Sequence, residues 1–177
     1  MPKKKTDAVD VDVAVVDVQS KTLFDRVSDF LTSKDWHFTT YEDRQYFSFN
    51  LRLRDGNVRI FVDPTEGSGW SRVLVLTTFS TYVPEQKRQA VAEAIARINY
   101  AHILGSLEID VRDGEVRSKS VLECDGYLGE EMIDRAIRKS LDLADQYQAP
   151  LLGIAFGNML PKDVLDMVSR GEEATLQ

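Results

Sequence analysis

The side chains from which chemistry could be assembled are few in this 177-residue chain. Its single cysteine, Cys124, stands between Glu123 and Asp125. Two neighbouring carboxylates disfavour the thiolate that a nucleophile needs, so an unreactive thiol at a strand end is expected. The histidines, His37 and His102, lie far apart in sequence and neither has a HExxH-type spacing. His102 follows the stripe Val91, Ile95, Ile98, which makes it a helix-surface or interface residue. Asp10 and Asp12 begin like a calcium loop, but its fifth position would be Ala14, its sixth Val15 instead of glycine, and its twelfth Lys21 instead of glutamate. Gly67, Ser68 and Gly69 lack the lysine and helix start of a phosphate loop and the spacing of a nucleophile elbow, and read as a hairpin loop. No catalytic residue, metal-ligand set or cofactor site is expected, and the chain is expected not to be an enzyme.

Two surfaces are more informative. Tyr46, Ser48, Asn50, Arg52, Arg59 and Phe61 alternate with apolar residues along two strands and point away from the core, mixing aromatic and basic groups. Such a face covers a polypeptide, stacks nucleic-acid bases, or is simply a solvated or helix-covered sheet face. Ala90, Ala94, Arg97 and Ala101 form a second stripe on a helix, where small side chains let another helix approach closely, although alanine is also the best helix former. This stripe is the candidate dimer contact.

The elements that must position these residues follow from periodicity. Residues 1–19 carry Val9, Asp10, Val11, Asp12, Val13 in alternation without a turn signal, a tail with strand tendency. Leu23, Phe24, Val27, Phe30 and Leu31 make one helical stripe over 21–34, capped by Ser20. Four strands follow, built on Trp36 and Phe38, Phe47–Leu53, Val58–Val62 and Val73–Phe79. Asp55 and Gly56 suit a two-residue turn that pairs Leu53 with Val58, Leu51 with Ile60 and Phe49 with Val62. Pro64 to Gly69 reads as the loop into the fourth strand.

Pro84 opens a second helix that Gly105 closes. A second hairpin over 107–124 has Asp113 and Gly114 as its two-residue tip, placing Arg112 opposite Glu115, Asp110 opposite Arg117 and Glu108 opposite Lys119, with Leu107, Ile109 and Val111 inward. A third helix runs from about Glu130 to Tyr147 and stops before Pro150. Leu151–Phe156 fits either a strand or a buried helix, and a short helix starts at Pro161. The fold class is α+β: a tail over 1–19, one domain over 20–157, and a short helix and tail over 158–177.

Composition narrows the partners. A net charge of -7, from 22 Lys+Arg against 29 Asp+Glu, works against nucleic acid. With one cysteine there is no intrachain disulfide, and a cytoplasmic location is expected. Lys3, Lys4 and Lys5 precede an Asp-rich stretch and not the apolar segment of a signal peptide, and no run approaches the roughly 18 to 20 apolar residues of a membrane span.

The proline that opens helix two, Arg97-Ile98-Asn99 near its end, the run Gly105 to Arg117 and the apolar-striped third helix, in that order and spacing, resemble the YbjN family over roughly residues 23–157. That family is described as bacterial sensory transduction regulators, with a fold resembling class I type III secretion chaperones. The resemblance implies a non-enzymatic homodimeric module that binds polypeptide or takes part in stress and signalling responses, and it transfers no catalytic residue. The leading expectation is a polypeptide-binding, chaperone-like or regulatory homodimer. A nucleic-acid-binding regulator and an enzyme with a site invisible to spacing are the alternatives.

Overall fold

The computed structural model describes residues 21–167. The first helix, α1 (Leu23–Ser33), is capped by Thr22, whose hydroxyl accepts from the Asp25 N–H while the Asp25 carboxylate accepts from the Thr22 N–H. This reciprocal box displaces the expected Ser20 cap, which lies outside the described residues. Its apolar stripe, Leu23, Val27, Phe30 and Leu31, is buried as its spacing requires.

Four antiparallel strands follow, β1 (Thr39–Tyr41), β2 (Tyr46–Arg52), β3 (Asn57–Gly67) and β4 (Trp70–Phe79), four as expected, although the first lies just after Trp36 and Phe38 and not on them. After a 3-10 turn at Glu85–Lys87 come α2 (Arg88–Ala101), β5 (Ser106–Ile109), β6 (Val116–Asp125) and α3 (Glu130–Phe156). The six strands form one sheet in the order β1-β2-β3-β4-β6-β5. One face carries Phe47, Phe49, Ile60, Val62, Val73, Val75 and Phe79 into a single core with α1, α2 and α3. Phe24 of α1 stacks on Phe47 at 4.5 Å. At the centre, Ser140 of α3 meets the Thr77 and Ser118 hydroxyls of β4 and β6 at 2.8 and 2.9 Å. All three hydroxyls are fully buried and satisfy one another, so the cluster costs little and fixes α3 on the sheet.

Both hairpins depart from the expected register by two residues. In the first, Leu51 faces Val58 and Phe49 faces Ile60, and the turn residues are Arg54 and Asp55. Gly56 does not take the positive φ of the expected turn. A side chain there would meet the Gln148 amide nitrogen at 2.7 Å, so its smallness admits α3. The Asp145 carboxylate accepts from the Arg54 N–H at 3.0 Å, tying the tip to the same helix.

In the second hairpin Glu108 faces Arg117, Asp110 meets Glu115, and the loop has four residues, Val111 to Gly114. Arg88 explains the longer loop: its guanidinium donates to the carbonyls of Val83, Val111, Arg112 and Asp113. Val111 is accordingly exposed, not inward. The charge pairing survives in altered form, because Glu108 takes both Arg117, at 2.8 Å, and Lys119, while Arg112 folds back onto Asp110 at 2.6 Å.

The remaining differences have local causes. β3 continues through Pro64, because β2 pairs β3 only as far as Val62 and the missing N–H costs nothing on an unpaired edge; the turn is Ser68–Gly69 alone. Gly105 is not the cap of α2, whose C-cap is His102; it has φ 76°, and a Cβ there would lie 2.6 Å from Leu143 Cδ1 and 3.2 Å from the Lys119 carbonyl oxygen. α3 runs through Pro150 to Phe156 instead of stopping before the proline. Losing one helical bond costs about 3 kcal/mol, and burying Leu151 and Ile154 offsets it at roughly 1.5–3 kcal/mol each.

The ion pairs of the second hairpin carry a pH signature. Burial pushes the Glu108 carboxyl up, but the hydrogen bonds and charges of Lys119 and Arg117 outweigh it and hold it below its ordinary value. A carboxylate depressed in the folded state stabilises it fully above the unfolded pKa of about 4.3, and this contribution is lost as pH falls through the folded value. Glu108→Gln is therefore expected to cost about 0.5 kcal/mol at pH 7 and progressively less as pH drops towards 2. Urea midpoints measured across that range check it, and a gap that persists at acid pH would exclude the ion pairs as its cause.

Candidate functional site

Among the described residues, the helices α1, α2 and α3 pack on one side of the sheet. The six residues singled out from the sequence do share the other side, since a two-residue slip leaves strand parity unchanged. Ser48 faces Phe61 and Asn50 faces Arg59 across β2 and β3. Arg59 donates through Nε to the Ser48 hydroxyl at 3.1 Å and lays its guanidinium 4.9 Å above the Phe61 ring. Tyr46 stands 6.1 Å from Phe61 and stacks on Tyr41 at 4.3 Å. Ser48 is buried beneath these neighbours, Tyr46 and Phe61 are half-buried, and Asn50, Arg52 and Arg59 are exposed.

The other half of the face comes from β4 and β6. Leu76 faces Phe61, and Leu74 faces Val121, so an apolar diagonal runs Tyr41, Tyr46, Phe61, Leu76, Leu74, Val121 across the sheet. Val121 is 52% exposed. A sheet face left to solvent ordinarily carries polar residues, and this strip departs from that pattern. The signal was present in Val73-Leu74-Val75-Leu76, a run without alternation, which is the pattern of a strand covered on both faces. Arg59, Arg72 and Lys119 border the strip.

The candidate dimer stripe is divided by the fold. Ala94 is fully buried in the protein's own core beside Val91, Ile95 and Ile98, and Ala90 is half-buried. Arg97 and Ala101 are exposed, with Arg97 held by Glu93 at 2.7 Å. The apolar surface at this end of α2 is instead Tyr100 and Ile103, each 96% exposed. His102, at the end of α2, reaches α3: its Nε2 is 2.7 Å from the Tyr147 hydroxyl. Cys124 is half-buried with Tyr127 O as its contact. Among the described residues no His, Cys, Asp and Glu group is arranged to hold a metal ion, and no helix is long and apolar enough to cross a membrane.

Asn99 was not singled out for any role beyond its place in the Arg97-Ile98-Asn99 run. Its side-chain amide accepts from the Leu107 N–H and donates to the Leu107 carbonyl, both at 2.9 Å. It thereby closes the outer edge of β5 as a neighbouring strand would.

No curated protein matches the chain. A family model does: YbjN, described as "Putative bacterial sensory transduction regulator", matches residues 23–152. The match begins at the first residue of α1, takes in all six strands and reaches past Pro150 in α3. The chain belongs to the YbjN family.

Proposed function

We propose that this protein is a non-enzymatic, chaperone-like regulatory module that docks a polypeptide on the open face of its sheet and works as a homodimer. The apolar diagonal from Tyr46 through Phe61, Leu76 and Leu74 to Val121, on the side that no described helix covers, carries the reading. A polypeptide suits it because the centre is apolar and the charged groups stand at its margin, the arrangement of a protein interface. For the homodimer, Tyr100, Ala101 and Ile103 at the end of α2 replace the buried Ala94 as the candidate contact.

The docking reading is tested on an array of short peptides probed with the wild type and with the double variant Phe61→Asp, Leu76→Asp. Apolar-centred peptides should bind the wild type and lose at least about tenfold in affinity on the variant, since each buried apolar side chain is worth roughly 1.5 kcal/mol or more. Identical array profiles, or preferential binding of single-stranded oligonucleotides with a steep salt dependence, would overturn it.

A further inference from the structure

We infer that the outer edge of β6, from Val121 to Asp125, is a β-addition site for an extended polypeptide segment that carries cationic residues at alternate positions. This deepens the docking reading by naming how such a partner enters and what its sequence looks like. β6 is ten residues long, yet β5 pairs only with Val116 to Lys119. The Gly126 N–H donates to the Gly69 carbonyl at 2.8 Å, which sets the ladder between β4 and β6 so that the even-numbered residues of β6 bond to β4. The N–H and C=O groups of Val121, Glu123 and Asp125 therefore point outward, and no described residue pairs with them. The neighbouring edge is closed, because the Asn99 amide occupies both backbone groups of Leu107.

The side chains of the edge define the occupant. An added strand would place every second residue beside Leu122 and Cys124, which are half-buried against the core, and its other residues beside Val121, Glu123 and Asp125 on the open face. The first set calls for apolar side chains. The second calls for lysine or arginine, since among the described residues neither Glu123 nor Asp125 is in an ion pair. The same charge logic disfavours two other occupants. A second copy adding antiparallel with its own Val121–Asp125 edge in full overlap would set glutamate against glutamate at position 123. The chain's own Val9 to Val13 strip has the right period but would bring Asp10 and Asp12 to the acidic side.

The test uses fluorescence anisotropy with the full chain and two end-blocked labelled probes, one alternating valine and lysine, the other alternating valine and glutamate. The valine-lysine probe should bind at least tenfold more tightly. Glu123→Pro removes an outward N–H without touching the β4 ladder and should abolish that binding. Glu123→Lys keeps the N–H and should narrow or invert the preference; it decides the question alone if the proline variant fails to fold by circular dichroism. The peptide array with Phe61→Asp, Leu76→Asp reads the open face, and the Glu123 variants read the edge, so loss of the open-face reading and loss of this one are separately visible. Equal binding of the two probes, no binding of either, or full binding to Glu123→Pro would overturn the inference.

Discussion

Ala94→Arg is expected to destabilise the protein by about 3 to 5 kcal/mol, the cost of an uncompensated charge in a core, with overpacking adding to it. Position 94 has no exposed surface and lies among Val91, Ile95 and Ile98 on the buried face of α2. Arginine is itself a good helix former, so the loss comes from packing and desolvation and not from helix propensity. A urea titration followed by circular dichroism should show the midpoint lowered by about 1 M or more, or no cooperative transition at all. A variant as stable as the wild type would place Ala94 on the surface and restore the alanine stripe as an interface. Ile103→Asp is the fitting probe of a dimer: its side chain is 96% exposed, so its stability should stay within about 0.5 kcal/mol of wild type while light scattering reports the oligomeric state.

The burial of Ala94 was legible, because it lies three residues after Val91 and one before Ile95, inside the core stripe and not beside it. The strand faces were equally legible. Parity in a strand has a period of two, so Tyr46, Ser48, Asn50, Arg52, Arg59 and Phe61 stay on one side even though the hairpin is paired two residues away from its expected register. What turn residues alone did not reveal is where each hairpin tip folds. Asp55-Gly56 and Asp113-Gly114 both have the composition of a two-residue turn, yet both tips are fixed by helices distant in sequence, one by Asp145 and Gln148 of α3, the other by Arg88 at the start of α2. The stop expected at Pro150 failed for the same reason: a local preference worth about 3 kcal/mol met tertiary burial of comparable size. Strand edges are a further step removed. That β6 outlasts β5, and that Asn99 closes the one edge but not the other, depends on element lengths set by the whole sheet.

Gly114→Ala is expected to cost about 3 kcal/mol or more, and its excess over a simple turn glycine measures how tightly the β5–β6 loop is clamped. Gly114 has φ 89°, where a residue with a Cβ is strained by roughly 1–2 kcal/mol. In addition, a Cβ there would lie 2.2 Å from the Val83 carbonyl oxygen and 3.0 Å from its nitrogen, both backbone atoms that cannot swing aside. Relieving the clash means lifting the loop. That breaks the bond from the Val83 N–H to the Gly114 carbonyl, 2.9 Å long, and pulls the carbonyls of Val111, Arg112 and Asp113 off the Arg88 guanidinium. Gly69→Ala is the control, since Gly69 has a similar φ of 84° with nothing within 4 Å of the added carbon, and should lose only the strain of roughly 1–2 kcal/mol. Arg88→Met retains the glycine but removes the donors, and should fall between the two, because hydrogen bonds from a charged group contribute about 1.5–3 kcal/mol. Thermal and urea unfolding of the three variants give the order. If Gly114→Ala and Gly69→Ala lose the same stability, the loop is not held against Val83, and the four-residue loop and its register lose their physical explanation.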